Sequence, residues 1–96
     1  LINTYIKNQQ SSKLRGPFAI KQRLMQMGAT KDLIDSSINK LVTEETQNIN
    51  IDKLLKKHQP DLGDIKAVLK FQRLLSYRGF DSRLIKKKIA FPSQKE

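Results

Sequence analysis

Ninety-six residues without cysteine, with nineteen Lys and Arg against nine Asp and Glu for a formal charge of +10, suit one small domain or two very small units. A chain this short buries only about 60 to 70% of its unfolded surface, so no large enclosed active site is expected. The cysteine count excludes disulfides and thiolate metal sites, the apolar runs are too short to span a membrane, and the positive balance favours polyanions or acidic protein surfaces as partners.

The apolar spacing follows the 3.6-residue period throughout, and six helices are expected in an all-α fold. In LINTYIKNQQ, Ile2, Tyr5 and Ile6 share a face. The second helix starts at Pro17, whose fixed φ suits a first helical turn, carries the stripe Ile20, Leu24 and Met27, and stops at Gly28. Phe18 and Met25 lie roughly 140 to 160° around from Ile20 and need cover, either from a neighbouring helix or from a partner. Thr30 caps a third helix with Leu33, Ile34, Ile38, Leu41 and Val42. A polar stretch from Thr43 to Asn48 leads to a fourth helix with Ile51, Leu54 and Leu55, stopped by Pro60. The fifth runs from about Asp64 to Arg78 with Val68, Phe71 and Leu75 aligned, Gly79 closes it, and Asp81 caps the sixth.

At an offset of 51, Ile20, Leu24, Gly28 and Thr30 match Phe71, Leu75, Gly79 and Asp81, while Leu33, Ile34 and Ile38 match Leu84, Ile85 and Ile89. The first helices match at an offset of 49, Ile2, Tyr5 and Ile6 against Ile51, Leu54 and Leu55. Two helix-turn-helix-like units follow, residues 1–43 and 44–96. These matched apolar positions of the later two helices, and Val68 with them, are expected to be mainly buried. Units of this kind often need about three copies, and the chain opens on Leu1 in mid-pattern, so an upstream unit is expected.

Charge is uneven: residues 1–48 hold seven basic and four acidic side chains, residues 49–96 twelve and five. In the sixth helix Arg83, Lys86 and Lys87 fall opposite Leu84, Ile85 and Ile89, while Lys88 falls among the apolar set and can snorkel. Lys56, Lys57, Lys70, Arg73 and Arg78 share that half and make a candidate partner or DNA surface with the three. Arg15, Lys21 and Arg23 are the basic candidates of the first half. Arg78 stands where Met27 stands in the first unit, which allows pairing with a carboxylate or a backbone carbonyl. No aromatic interleaving of the kind found in single-strand stacking platforms is apparent. His58 is the lone histidine, and no metal-ligand or phosphate-loop spacing occurs, so no enzyme, cofactor or metal is expected.

YIK at Tyr5 to Lys7, RGP at Arg15 to Pro17, LLKK at Leu54 to Lys57, and KFQRLLSYRGF at Lys70 to Phe80 followed by Leu84 and Ile85 resemble the RecX family, regulators of the RecA recombinase. The resemblance implies tandem three-helix repeats, of which these are the second and third. It also implies a non-enzymatic regulator that binds the RecA filament on single-stranded DNA and inhibits its recombinase, ATPase and coprotease activities, hence a role in recombination, DNA repair and the SOS response; the lack of cysteine and of membrane spans makes the cytoplasm the expected place, and a monomer is expected. Direct DNA contact is part of that expectation, and an autonomous helix-turn-helix DNA binder is the alternative. Phe18, Ala19 and Met27 stand where the family tends toward basic residues.

Overall fold

The computed structural model describes residues 2–91; Leu1 and residues 92–96, at the outer ends of the two expected units, lie outside the described residues. Six helices occur in order: α1 (Ile2–Ser11), α2 (Pro17–Gln26), α3 (Lys31–Leu41), α4 (Glu44–His58), α5 (Ile65–Tyr77) and α6 (Ser82–Lys88). Among the described residues there is no strand, in keeping with the all-α expectation.

Capping residues set most boundaries. Thr30 Oγ1 accepts from the Leu33 amide at 3.3 Å, Asp64 Oδ1 from Lys66 at 3.2 Å and Asp81 Oδ1 from Arg83 at 2.9 Å, each satisfying an amide that a helix start leaves without a partner. The two helix ends before α3 and α6 are built alike. The Gly28 amide donates to Met25 O and Ala29 to Leu24 O; Gly79 donates to Ser76 O and Phe80 to Leu75 O. Both glycines sit at φ +92°, the left-handed conformation this ending requires and one that a Cβ disfavours.

Two apolar cores result. Ile6, Ile20, Leu24, Ile34, Ile38 and Val42 of α1–α3 form one; Ile51, Leu54, Val68, Phe71, Leu75, Phe80, Leu84, Ile85 and Ile89 form the other, chiefly from α4–α6. They lie along a molecule of 52 × 21 × 21 Å whose radius of gyration, 14.7 Å, exceeds the roughly 12 Å of a sphere-like chain of this size.

Four expectations need correction. The stretch from Thr43 to Asn48 is no linker: Thr43 and Thr46 cap α4 reciprocally, and the helix starts at Glu44. Its polarity reflects where it packs: Gln47 and Asn50 are both buried, Gln47 against the start of α6 and Asn50 in a groove lined also by Gln10 and Ser11 of α1. Leu33 is 50% exposed although its counterpart Leu84 is 4% exposed. The N-terminal part of α4 lies over the start of α6, where Gln47 Oε1 accepts from the Asp81 amide at 3.1 Å. Met27 is 65% exposed because it caps α2 past the last turn that faces the core. Phe18 and Met25 are likewise exposed, so no helix among the described residues covers them.

The segments RGP and RGF meet where the two cores join. The Gly16 amide donates to Arg78 O at 2.8 Å, and the Phe18 amide to Gly79 O at 2.9 Å. A Cβ on Gly16 would lie 2.5 Å from the Gly79 carbonyl and the Phe80 nitrogen, and one on Gly79 would overlap Ala19. Only hydrogen fits on either side of this contact. Leu14, in a left-handed conformation at φ 52°, reaches across to pack on the second core. Around it the buried side chains are polar: Gln10 Nε2 donates to Leu41 O at 3.1 Å, and Gln9 Oε1 accepts from Arg15 Nη1 at 2.6 Å.

Candidate contact surface

The basic residues divide by what they touch. Arg78 Nη1 donates to Lys13 O at 2.7 Å, which is the backbone pairing its inward position allowed, and Arg15 holds Gln9. Arg15 therefore holds the loop after α1 to α1 itself, and Arg78 ties that loop to the second half. Lys21 Nζ lies 3.1 Å from Asp35, linking α2 to α3. Lys88 runs beside the apolar set of α6 and ends 2.7 Å from Asp52 of α4. Pairs this exposed contribute at most about 1 kcal/mol; they fix orientation more than stability.

Arg23, Lys56, Lys57, Lys70, Arg73, Arg83, Lys86 and Lys87 are all exposed. Arg23 is alone among them on α2, and Lys56 and Lys57 occupy the last turn of α4, where cations also complement the helix dipole. The rest lie on α5 and α6. Arg73 and Lys86 line one groove of about 200 Å³ between these helices, with Leu69 and Ile85 as its apolar lining. Lys70 lies by a second groove with His58, Phe71 and Leu74, where the imidazole and Phe71 rings are 6.1 Å apart.

Acidic side chains are scarce along α5 and α6. From Ile65 to Phe91 there are eight basic residues and one acidic residue, Asp81, which caps α6. In the loop before α5, Asp61 accepts from the Gly63 amide and Asp64 caps the helix. The carboxylates nearest in sequence are thus committed to backbone, and the field of the lysines and arginines points outward.

Tyr77 also belongs to this surface. Lys66, Lys70, Arg73 and Tyr77 follow one another at i, i+4, i+7 and i+11, which places them within about 60° of one another on α5. The ring is 91% exposed. An aromatic side chain does therefore stand in the basic stripe, contrary to the expectation from sequence; the helical spacing was the signal that could have found it. Among the described residues no group of three or more His, Asp or Glu side chains could hold a metal ion, and no helix is long and apolar enough to cross a membrane.

No family model and no solved structure matches the chain. Curated relatives do. It is 28% identical over 85 residues to "Regulatory protein RecX" of Streptococcus agalactiae serotype V, covering 88% of this chain and 33% of the relative. It is 29% identical over 84 residues to the protein of that name from serotype III, covering 86% and 32%. The chain spans about a third of the length of the curated relatives it matches. These relatives, named as regulatory proteins, bear out the resemblance carried by the RGP and RGF segments: over most of its length the chain is similar to the RecX family.

Proposed function

We propose that this chain is the two-unit part of a regulator that binds the RecA filament on single-stranded DNA and inhibits its ATPase, recombinase and coprotease activities. The similarity to regulatory RecX proteins over nearly nine-tenths of the chain carries this reading. The electropositive face of α5 and α6 supports it, since a filament on DNA presents phosphates and a protein groove together. In this reading the two halves act as successive repeats, joined rigidly by the RGP–RGF contact, and the rod they form lies along the filament in the cytoplasm as a monomer. Lys56, Lys57, Lys70, Arg73, Arg83, Lys86 and Lys87 make the contact, with Arg23 at its far end. Arg15, Lys21 and Arg78 act indirectly by holding the helices that present them.

The direct test is RecA ATPase on single-stranded DNA, measured as this chain is titrated in, together with filament length by electron microscopy. Turnover should fall as the chain approaches the filament's binding capacity. Unchanged ATPase and unchanged filaments at a large excess of the chain contradict the proposal.

A further inference from the structure

We infer that the stripe Lys66–Lys70–Arg73–Tyr77 on α5 is a track for single-stranded nucleic acid, with the three cations on successive phosphates and the Tyr77 ring stacked on an unpaired base. This deepens the proposed function, and rests on it only in taking α5 and α6 as the contact face.

The observations are independent of one another. The cations lie along one helix, so the positive charge is linear: Lys66 to Arg73 spans about 10 Å and Tyr77 stands about 6 Å further along, at about 1.5 Å per residue. A linear row matches the backbone of an extended polyanion more closely than it matches an acidic patch on a folded partner. The carboxylates that sequence places beside the row are held by backbone amides, Asp64 by Lys66 and Asp81 by Arg83, and neither of the two ion pairs among the described residues uses a side chain of the stripe. Binding a phosphate therefore breaks no internal pair. The stripe continues across the groove between α5 and α6, where Lys86 faces Arg73.

Tyr77 decides between strands. At 91% exposure its ring has both faces in solvent, at the end of α5 and one turn beyond Arg73. Bases in a duplex have both faces covered by their neighbours, so a side chain standing on a helix surface can stack only on a base that is unpaired. Every base offers a π-face, so such stacking tolerates any sequence. An acidic protein surface would use the cations and leave the ring without a partner.

Fluorescence anisotropy with a labelled oligothymidine and with a mixed-sequence duplex of equal length, without RecA, tests this. The parent chain should prefer the single strand. Tyr77→Ala should weaken that binding by about five- to a hundredfold, the fold-change that corresponds to losing one stacked base, and leave duplex binding unchanged; Tyr77→Phe should behave as the parent. Replacing Lys66, Lys70 and Arg73 with Gln should flatten the salt slope on the single strand by about 2, at roughly 0.7 per phosphate contact. All four side chains are exposed, so circular dichroism of the variants should match the parent. No binding to oligothymidine, equal binding to duplex, or a silent Tyr77→Ala overturns the inference. In that event RecA ATPase with the same variants separates the two claims: loss of inhibition in the triple Gln variant alone assigns the stripe to an acidic protein surface and leaves the regulatory reading standing, whereas an inert parent chain removes that reading as well.

Discussion

Leu33 and Leu84 hold the same place after the same turn, and one is half exposed while the other is buried. The glycines ahead of them differ in the same sense. Gly28 and Gly79 share a φ of +92° and the same pair of closing hydrogen bonds, yet a Cβ on Gly28 would meet nothing within 4 Å while one on Gly79 would strike Ala19. The residue after the glycine is Ala29 in the first half and the buried Phe80 in the second. The local rules that end a helix are thus obeyed twice, but in the second half they also serve a close contact with the start of α2. One pattern can encode a turn; what the turn packs against has to come from elsewhere in the chain.

The aromatic residues of α2 and α5 give the widest separation. Phe71→Ala should cost about 3 to 5 kcal/mol, as for truncation of a buried aromatic, and Phe18→Ala less than about 0.5 kcal/mol, as at an exposed site. Denaturant melts of the two variants check this; equal losses would show that Phe18 is covered. Close behind, Leu84→Ala should cost about 2 to 5 kcal/mol, whereas Leu33→Ala, at a half-exposed position, should cost under about 1 kcal/mol.

The turn glycines sharpen the comparison next. Gly28→Ala should destabilise by about 1 to 2 kcal/mol through the left-handed backbone alone. Gly79→Ala should lose roughly 2 to 5 kcal/mol, because overlap with Ala19 adds to the same backbone term. Gly16→Ala separates the two causes. Its φ is −91° and ψ 179°, ordinary extended backbone, so its loss of about 1 to 3 kcal/mol arises from the close approach alone. Thermal melts with small-angle scattering measure both parts: Gly16→Ala should loosen the rod without unfolding either core.

Much of this was readable in the chain. The helical period, Pro17, Thr30, Asp81 and the two left-handed glycines are local signals, each with a local cause, and they placed α2, α3, α5 and α6. The start of α4 does not follow from the sequence because Gln47 and Asn50 are polar and buried, a combination that makes sense only once α4 has packed against the start of α6 and against α1. The contact of Gly16 with Gly79 joins residues 63 apart in the chain, and no spacing rule links them. On the surface, the outward side of α6 followed from the turn angle. The division between cations that hold the fold and cations that face solvent did not, since Arg15 and Lys21 find their partners only in three dimensions.

Exposed charges should matter least to stability and most to binding, and they test the central claim, that the second half presents the contact face. Two variants with equal loss of charge should be compared for affinity toward RecA filaments on single-stranded DNA: Arg83, Lys86 and Lys87 to Gln on α6, and the equally exposed Lys13, Lys31 and Lys40 to Gln in the first half. The α6 variant should bind about tenfold more weakly, as three exposed charge contacts of at most about 1 kcal/mol each allow, with a shallower salt dependence, while the first-half variant stays within about twofold of the parent. Equal losses in the two variants would reduce the effect to net charge, and full affinity in the α6 variant would mean that the basic side of α6 faces only water.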